Sequence, residues 1–286
     1  MPQLAYILSL PRSGSTVLAT LLDRYKGVVS PPESSFPQVL GAIRAKERAD
    51  RRWLAALYIG ATFPPTPLSL EDAEACMHGS NEEILIALGK AVAAKLDRDP
   101  ADVRAVVWKS PRTVGMHRGP LSTPGRFIVL RRNPHNVFES QFRVGFGEKN
   151  RNPYRFAIFR ESYEHAFSRL PKDRVLELGY DELPDALPRV LEFIGAPNLG
   201  KWESKQSSHD LAVVAFPWMS EVTQEFRNTD AEKLGHLDPR QIATLETAMK
   251  LARPIRPFIG PARFYFDRVS MGHIRERAQE MVAKTR

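Results

Sequence analysis

Short runs of apolar residues, each ending at a turn or at charged residues, recur along this chain. They are Leu4–Leu10, Val28–Ser30, Ala105–Trp108, Phe127–Leu130 and Val175–Leu178. A short, continuous apolar run bounded by such signals is typical of a strand that is buried on both faces of a sheet. The pattern therefore predicts five strands, the first of which enters a turn at Pro11.

Apolar residues at helical spacing separate these strands. Those over 17–22 directly follow the first strand and its polar turn, which is the order of a parallel α/β unit. Ser80 followed by Glu83 has the spacing of a capping box at the start of a helix over 81–96. Further helices are predicted over 36–57, 136–142, 156–169, 186–194, 239–251 and from Met271 onwards.

This alternation of strands and helices predicts the α/β class, with a central, mostly parallel sheet between layers of helices. No internal repeat, low-complexity tract or linker divides the sequence. We therefore expect a single domain over 1–286, with a core of about 4–195 and a helical, loop-rich C-terminal extension of about 196–286.

Positive charge is concentrated in one part of the sequence. The 286 residues include 41 Lys and Arg against 33 Asp and Glu, a net charge of +8. Between Arg104 and Arg160 there are twelve of these cations and only two acids, Glu139 and Glu148, so this basic segment carries a net +10. Such an excess predicts an anionic partner.

Two features of the sequence bear on the compartment. Its one cysteine, Cys76, cannot form an internal disulfide, which is typical of a reducing environment. The apolar run Leu4–Leu10 is far shorter than the ~20 residues that cross a bilayer, and it lacks the basic leader of a signal peptide. We expect a cytoplasmic protein without a membrane segment.

The turn between the first strand and its helix is rich in hydrogen-bond donors and reads Pro-Arg-Ser-Gly-Ser-Thr over 11–16. A glycine turn at a helix start directs backbone N–H groups towards an anion, although an ordinary capped turn can occupy the same position. A nucleotide-hydrolysing P-loop has a lysine after its last glycine, whereas here Ser15 follows Gly14. The turn therefore favours an anion site built on Arg12 over one that hydrolyses ATP.

A second candidate anion site follows the strand that ends at Leu130. Arg131 and Arg132 stand where a metal-binding aspartate could otherwise lie. Asn133 and a proline then end the strand, and Ser140 lies two turns into the predicted helix. Arg132 and Ser140 either converge on a second phosphate or lie separately in solvent.

The two candidate anion sites and a third motif, at Tyr180, follow each other along the chain. In this order they resemble the motifs of the sulfotransferases that use 3′-phosphoadenylyl sulfate (PAPS). The turn over 11–16 resembles the family's 5′-phosphosulfate loop, and the spacing of Arg132 and Ser140 resembles its 3′-phosphate motif. Tyr180-Asp-Glu-Leu and the later segment 191–195 are similar to the family's tyrosine segment and following helix. The bacterial and tyrosylprotein-sulfotransferase-like branch is more similar than the cytosolic steroid and phenol branch, which has lysine instead of arginine in the first loop.

The resemblance implies a P-loop-type three-layer fold and a site for PAPS, or for its product PAP, that requires no metal. It implies these binding residues: Arg12, Ser13, Gly14, Ser15 and Thr16 for the phosphosulfate, Arg132 and Ser140 for the 3′-phosphate, Tyr180 on the adenine side, and Lys233 by a looser alignment. It also implies Glu33 as general base, with Lys109 and Arg12 stabilising charge in the transition state. These roles suit the chemistry, because an attacking hydroxyl loses a proton and the leaving oxygen gains charge.

The sequence departs from the family pattern at one position and offers rivals at another. The tyrosylprotein-like branch has a further phosphate-binding arginine four residues after the serine, where this chain has Val144, with Arg143 one residue before it. His117 and His135 are rivals of Glu33 as the base, because other branches of the family use a histidine.

The expected partner is a small-molecule or peptide acceptor with a hydroxyl or an amine, and neither nucleic acid nor a membrane. Five aromatic residues either line an acceptor pocket or belong to the core: Phe36, Trp53, Phe63, Phe216 and Trp218. An ATP-dependent small-molecule kinase and a nucleic-acid-binding module are the alternative functions. A monomer and a homodimer both remain open, because the apolar stripe of the last helix, which includes Ile274 and Ala278, can pack on its own domain or on a second subunit.

Overall fold

A sheet of five strands lies at the centre of the computed structural model, which describes residues 1–63, 66–109, 125–143, 152–197, 199–203, 207, 228–259 and 268–284. The strands are β1 (Gln3–Ser9), β2 (Val28–Val29), β3 (Ala105–Lys109), β4 (Arg126–Arg131) and β5 (Val175–Gly179). They lie in the order β2-β3-β1-β4-β5, and each pair of neighbours is parallel. The predicted parallel α/β class is thereby confirmed.

Twelve α-helices accompany this sheet within the described ranges. They are α1 (Ser15–Asp23), α2 (Phe36–Ala42), α3 (Ala45–Ala49), α4 (Arg51–Ala61), α5 (Leu70–Ala75), α6 (Asn81–Lys95), α7 (Pro134–Arg143), α8 (Pro153–Ser168), α9 (Leu187–Phe193), α10 (Asp230–Leu234), α11 (Pro239–Ala252) and α12 (Arg268–Lys284). The short helices α5 and α10 were not predicted. The capping box of Ser80 and Glu83 is present at the start of α6.

The prediction of one continuous helix over 36–57 is wrong, because the structure has α2, α3 and α4 there. Ile43 ends α2 with an extended backbone, at a ψ of 152°. Asp50 is also extended, and its carboxylate accepts a hydrogen bond of 2.9 Å from the backbone N–H of Trp53. A capping aspartate in this geometry starts a new helix, so the apolar periodicity continues across two breaks.

The two faces of the sheet bury different helices. Leu4 and Tyr6 of β1 belong to a large core that includes side chains of α2, α4, α6, α7 and α8. Ala5 and Ile7 of the same strand pack on the opposite face, against α1 and α9. Because successive side chains of a strand point to opposite faces, the fully buried β1 supports helices on both sides. The result is the three-layer arrangement that was predicted.

The last helix, α12, packs on the chain's own α4. Ile274 and Ala278 are buried in the large core, and Arg275 forms an ion pair of 2.8 Å with Glu47. A Cβ at Gly60 of α4 would lie 3.0 Å from the backbone oxygen of Ile274, so glycine permits this close approach. The apolar stripe of α12 is therefore covered by its own chain.

Candidate active site

The site lies where the strand order of the sheet reverses. After β1 the chain builds β2 and β3 on one side, and then crosses to build β4 and β5 on the other. The carboxyl ends of β1, β3 and β4 are therefore neighbours, and loops that leave such a point form the usual ligand crevice of open α/β sheets. Residues 10–14, Lys109 and Arg132 leave the sheet here.

The loop after β1 has the strained, tightly held backbone of an anion site. Arg12 and Gly14 both have positive φ, 77° and 92°. The N–H groups in the first turn of α1 have no acceptor within the helix, and no side chain caps them. Donors from the chain after β4 hold the loop carbonyls, with Arg132 Nη1 3.3 Å from the oxygen of Arg12 and Gln141 Nε2 3.0 Å from that of Pro11. These two contacts tie the loop to the segment that follows β4.

Tyr180 packs directly against this loop. A Cβ at Gly14 would overlap the Cε2 and Cδ2 atoms of the Tyr180 ring, so only glycine admits the ring at this distance. The guanidinium carbon of Arg132 lies 4.0 Å from the centre of the same ring, which is a cation–π contact. Three residues that are far apart in sequence thus meet at the carboxyl edge of the sheet.

Replacing Gly14 with alanine is expected to lower the free energy of unfolding by about 1–2 kcal/mol, the cost of a left-handed backbone with a Cβ. It should also weaken the binding of an anion at this loop, because the Tyr180 ring must move away from the loop. Urea unfolding and calorimetry measure the two effects. Gly272→Ala is the matched control: it lies in α12 with no atom within 4 Å of the added Cβ, and it should stabilise by about 0.5–1 kcal/mol.

Lys109 joins the loop to Glu33. It follows Val107 on the face of β3 that packs on α1, and its ammonium lies 2.6 Å from Thr16 Oγ1 and 2.6 Å from Glu33 Oε2. The Lys109 side chain is only 3% exposed, whereas that of Glu33 is 29% exposed. Glu33 is therefore held by a buried cation and remains accessible to a second molecule.

The backbone around Glu33 is fixed by the segment after α4. The backbone oxygen of Glu33 accepts a hydrogen bond of 2.7 Å from the backbone N–H of Phe63. Ser34 and Thr62 form an isolated antiparallel bridge beside it. These contacts explain how a loop residue keeps a defined position beside Lys109. Such fixation is what a group needs in order to act on a bound substrate.

Four cations gather on the other side of the loop, and we refer to them as the cation cluster: Arg12, Arg132, Arg143 and Lys233. Arg12 Nε lies 3.2 Å from Ser140 Oγ, the serine that was predicted to act with Arg132. Burial, and then the positive charges of Arg143 and Arg132, lower the pKa of Arg12. Burial and the charge of Arg132 likewise lower the pKa of Lys233.

Two carboxylates, those of Glu139 and Asp230, lie within the cation cluster. Glu139 forms an ion pair with Arg143, and Asp230 forms one with Arg132. Four cations and two carboxylates leave an excess of about two positive charges in a partly buried place, where a bound anion would relieve their mutual repulsion. The charge of this cluster suits a phosphate dianion.

All the residues that were predicted to bind the donor or to act in catalysis lie in the described ranges, and they form two neighbouring groups. One group lies beside the loop after β1 and contains Arg12, Arg132, Ser140, Tyr180 and Lys233. The other contains Lys109 and Glu33, and Thr16 links it to the loop. Sequence reasoning missed Asp230 and Glu139 as members. Asp230 has no motif that marks it, and Glu139 was noted only as an acid of the basic segment.

The two rival histidines have different outcomes. His117 lies outside the described residues. His135 Nδ1 lies 3.0 Å from Asn133 Oδ1, and its other ring nitrogen lies 3.8 Å from Glu246 of α11. None of these contacts involves Glu33 or Lys109.

Several arginines of the basic segment form ion pairs or hydrogen bonds away from the site. Arg131 forms ion pairs with Glu164 and Glu177, and Arg160 forms one with Glu161. Arg126 donates to the backbone oxygen of Phe193. These arginines therefore contribute no charge to the site, and the cations from the described part of the segment that lie at the site are Lys109, Arg132 and Arg143.

The aromatic residues that were candidates for an acceptor pocket differ in burial. Phe36 is fully buried and packs edge-on against Tyr58, so it belongs to the core. Trp53 is partly buried against the same core. The side chain of Phe63, next to Glu33 through its backbone, is 51% exposed. Phe216 and Trp218 lie outside the described residues.

The described ranges contain no group of three or more His, Cys, Asp or Glu side chains arranged to hold a metal ion. None of the helices in the same part of the chain is both long and apolar enough to cross a membrane.

The fold and the position of the loop after β1 define a P-loop-like α/β protein. The model of the sulfotransferase family matches residues 5–197, and the chain belongs to this family. No significant match is found among curated proteins. The match covers β1 from Ala5 onwards, the other four strands, the loop after β1, Glu33, Lys109, Arg132 and Tyr180.

Three solved structures are similar to the chain over most of its length. The sulfotransferase domain from the Synechococcus PCC 7002 olefin synthase is 22% identical, with 88% of this chain and 95% of that chain covered and a TM-score of 0.45. The sulfotransferase domain from the curacin biosynthetic pathway is 20% identical, with 100% and 98% covered and a TM-score of 0.44. Retinol dehydratase, in complex with androsterone and the inactive cofactor PAP, is 14% identical, with 98% and 80% covered and a TM-score of 0.31.

Proposed function

We propose that the chain transfers a sulfuryl group from PAPS to a hydroxyl or amine acceptor and releases PAP, as members of the bacterial and tyrosylprotein-like branch would. The observation that carries this proposal is the position of Lys109. Its buried ammonium contacts both Thr16, in the first turn of α1, and the accessible carboxylate of Glu33. This contact joins an anion site to a group that can accept a proton, as an in-line displacement requires.

The residues present suit PAPS as the donor. Arg12, Ser13, Gly14, Ser15 and Thr16 would hold the phosphosulfate through side chains and the uncapped start of α1. Arg132, with Ser140, would hold the 3′-phosphate, and the nearby charges of Arg143 and Lys233 would favour this anion. Tyr180 would lie beside the nucleoside, since its ring packs on the loop at Gly14.

PAPS, when bound, supplies a sulfuryl group that becomes attached to the acceptor oxygen or nitrogen as its bond to the bridging phosphate oxygen breaks. Glu33 would take the proton that the acceptor loses, and its position is fixed by Lys109 and by the backbone of Phe63. The ammonium of Lys109 and the guanidinium of Arg12 would stabilise the negative charge that collects beside the loop. Because both cations are largely buried, their charges act with little screening by water.

Replacing Arg132 with methionine is expected to weaken PAP binding by about 10–150-fold, the loss of charged hydrogen bonds to a 3′-phosphate. The affinity for ADP, which has no 3′-phosphate, should change far less. Titration calorimetry with both nucleotides measures the two affinities. Arg189→Met, which removes an exposed arginine paired with Glu182, is the matched control and should bind PAP as the wild type does.

The same titrations test the proposed donor. Wild-type protein should bind PAP more tightly than ADP, with or without Mg²⁺. An ATP-dependent kinase would instead bind ADP at least as tightly as PAP, would need Mg²⁺, and would be indifferent to Arg132→Met. That result would overturn the assignment of PAPS.

A further inference from the structure

The guanidinium of Arg132 is already engaged by a carboxylate of the same chain. Its Nε lies 2.8 Å from Asp230 Oδ1, and its Nη2 donates to the same oxygen. Nη1 donates to the backbone oxygen of Arg12, and Tyr180 covers one face of the group. The Arg132 side chain is only 4% exposed and that of Asp230 is 20% exposed, so this pair is largely shielded from water.

Asp230 therefore occupies the edge of Arg132 that binds phosphate best. The Nε and Nη2 groups of arginine form the fork that holds two oxygens of a carboxylate or phosphate at once. A phosphate dianion and a carboxylate cannot share this edge, because two anions at such a distance in a shielded place repel each other strongly. One of the two must leave when the other binds.

We propose that Asp230 is the internal counter-ion of Arg132, which a 3′-phosphate displaces on binding, and that it thereby limits the affinity of the site for PAP and speeds its release. The inference rests on the proposed function, since it assumes that the 3′-phosphate binds at Arg132. The counter-ion neutralises the buried guanidinium when the nucleotide is absent. A buried charge without a partner at this position would strongly destabilise the fold.

The displaced carboxylate has another cation within reach. Lys233 follows Asp230 by three residues in α10, and side chains at this spacing lie on the same side of a helix. The negative charge of Asp230 raises the pKa of Lys233, against the larger lowering by burial and by Arg132. Exchange of Asp230 from Arg132 to Lys233 would keep it paired while the nucleotide occupies the arginine.

Asp230→Asn tests this inference, because an amide keeps the shape and an acceptor oxygen while it removes the competing charge. We expect PAP to bind about 10-fold more tightly and to dissociate about 10-fold more slowly, because the 3′-phosphate no longer competes with a charged partner of Arg132. The affinity for ADP should stay close to that of wild type. Calorimetry and stopped-flow displacement of PAP measure these quantities.

Two further variants separate a specific effect from a general one. Glu232→Gln removes an exposed negative charge from the same helix and should leave PAP binding unchanged. In the Arg132→Met background, Asp230→Asn should no longer affect PAP affinity, because the guanidinium for which Asp230 and the 3′-phosphate compete is absent. An equal gain for PAP and ADP would indicate general electrostatics and would overturn the inference.

The remaining outcomes are distinct. Weaker PAP binding by Asp230→Asn would show that the carboxylate orients Arg132 for the ligand, and unchanged binding would show that the pair persists with PAP present. Either result overturns the inference while the proposed function stands. Wild-type protein that binds PAP no more tightly than ADP overturns the proposed function, and the inference with it.

Discussion

Replacement of Glu33 by glutamine is expected to lower kcat for sulfuryl transfer by about 10²–10⁴-fold, the usual contribution of a general base. The amide cannot accept the proton of the acceptor, but its oxygen can still accept the hydrogen bond from Lys109. The positions of Lys109 and of the loop after β1 should therefore be retained, so PAP affinity should remain close to that of wild type. Initial rates at saturating PAPS, together with calorimetry, separate the two quantities.

The matched control for this variant is Glu276→Gln, which makes the same change in an exposed residue of α12. It should leave kcat and PAP affinity unchanged. Wild-type rates in Glu33→Gln would contradict the assignment and transfer the role of base to another residue, of which His117 is the first to test. A parallel loss of PAP affinity would mean that Glu33 supports the nucleotide site instead of acting on the acceptor.

Replacement of Lys109 by methionine is expected to lower kcat by about 10²–10³-fold, the loss found when one group that stabilises transition-state charge is removed. Methionine fills a similar volume in a site where the lysine is only 3% exposed, but it supplies no charge to the leaving oxygen. It also frees Glu33 from its partner, so the effect should fall on kcat more than on PAP affinity. The same rate and binding measurements apply.

Lys46→Met, an exposed lysine of α3, is the control for the loss of an ammonium. It should behave as wild type. If Lys109→Met lowers PAP affinity strongly and leaves kcat unchanged, the ammonium binds ground-state phosphate and does not stabilise the transition state. The double variant with Glu33→Gln should lose less than the product of the two separate effects, because the two side chains act as one contact.

The parts of the fold and site that could be predicted from the sequence are those with a local signature. The five strands are short apolar runs with clear ends, and the loop over 11–16 has its glycine and its donors in one stretch. Arg132 and Ser140 are brought near the loop by a strand and a helix that follow each other directly. Each of these features depends on neighbours in sequence.

The remaining features depend on contacts between distant segments. Asp230 meets Arg132 across 98 positions of the chain, and no pattern around it marks it as a partner. The breaks at Ile43 and Asp50 interrupt a run whose apolar spacing continues, because tertiary packing and a capping aspartate decide where a helix ends. Likewise, Arg126, Arg131 and Arg160 could not be separated from the site by counting charges.

The transfer of labelled sulfur from PAPS to an acceptor tests the account most directly. Wild-type protein and Glu33→Gln are incubated with sulfur-labelled PAPS and a pool of hydroxyl- and amine-bearing small molecules and peptides, and the label and PAP are followed by mass spectrometry. The account predicts that wild-type protein moves label to an acceptor and releases one PAP per transfer, and that Glu33→Gln binds PAP but transfers almost none. Equal transfer by both proteins, or PAP binding without transfer to any acceptor, would contradict it.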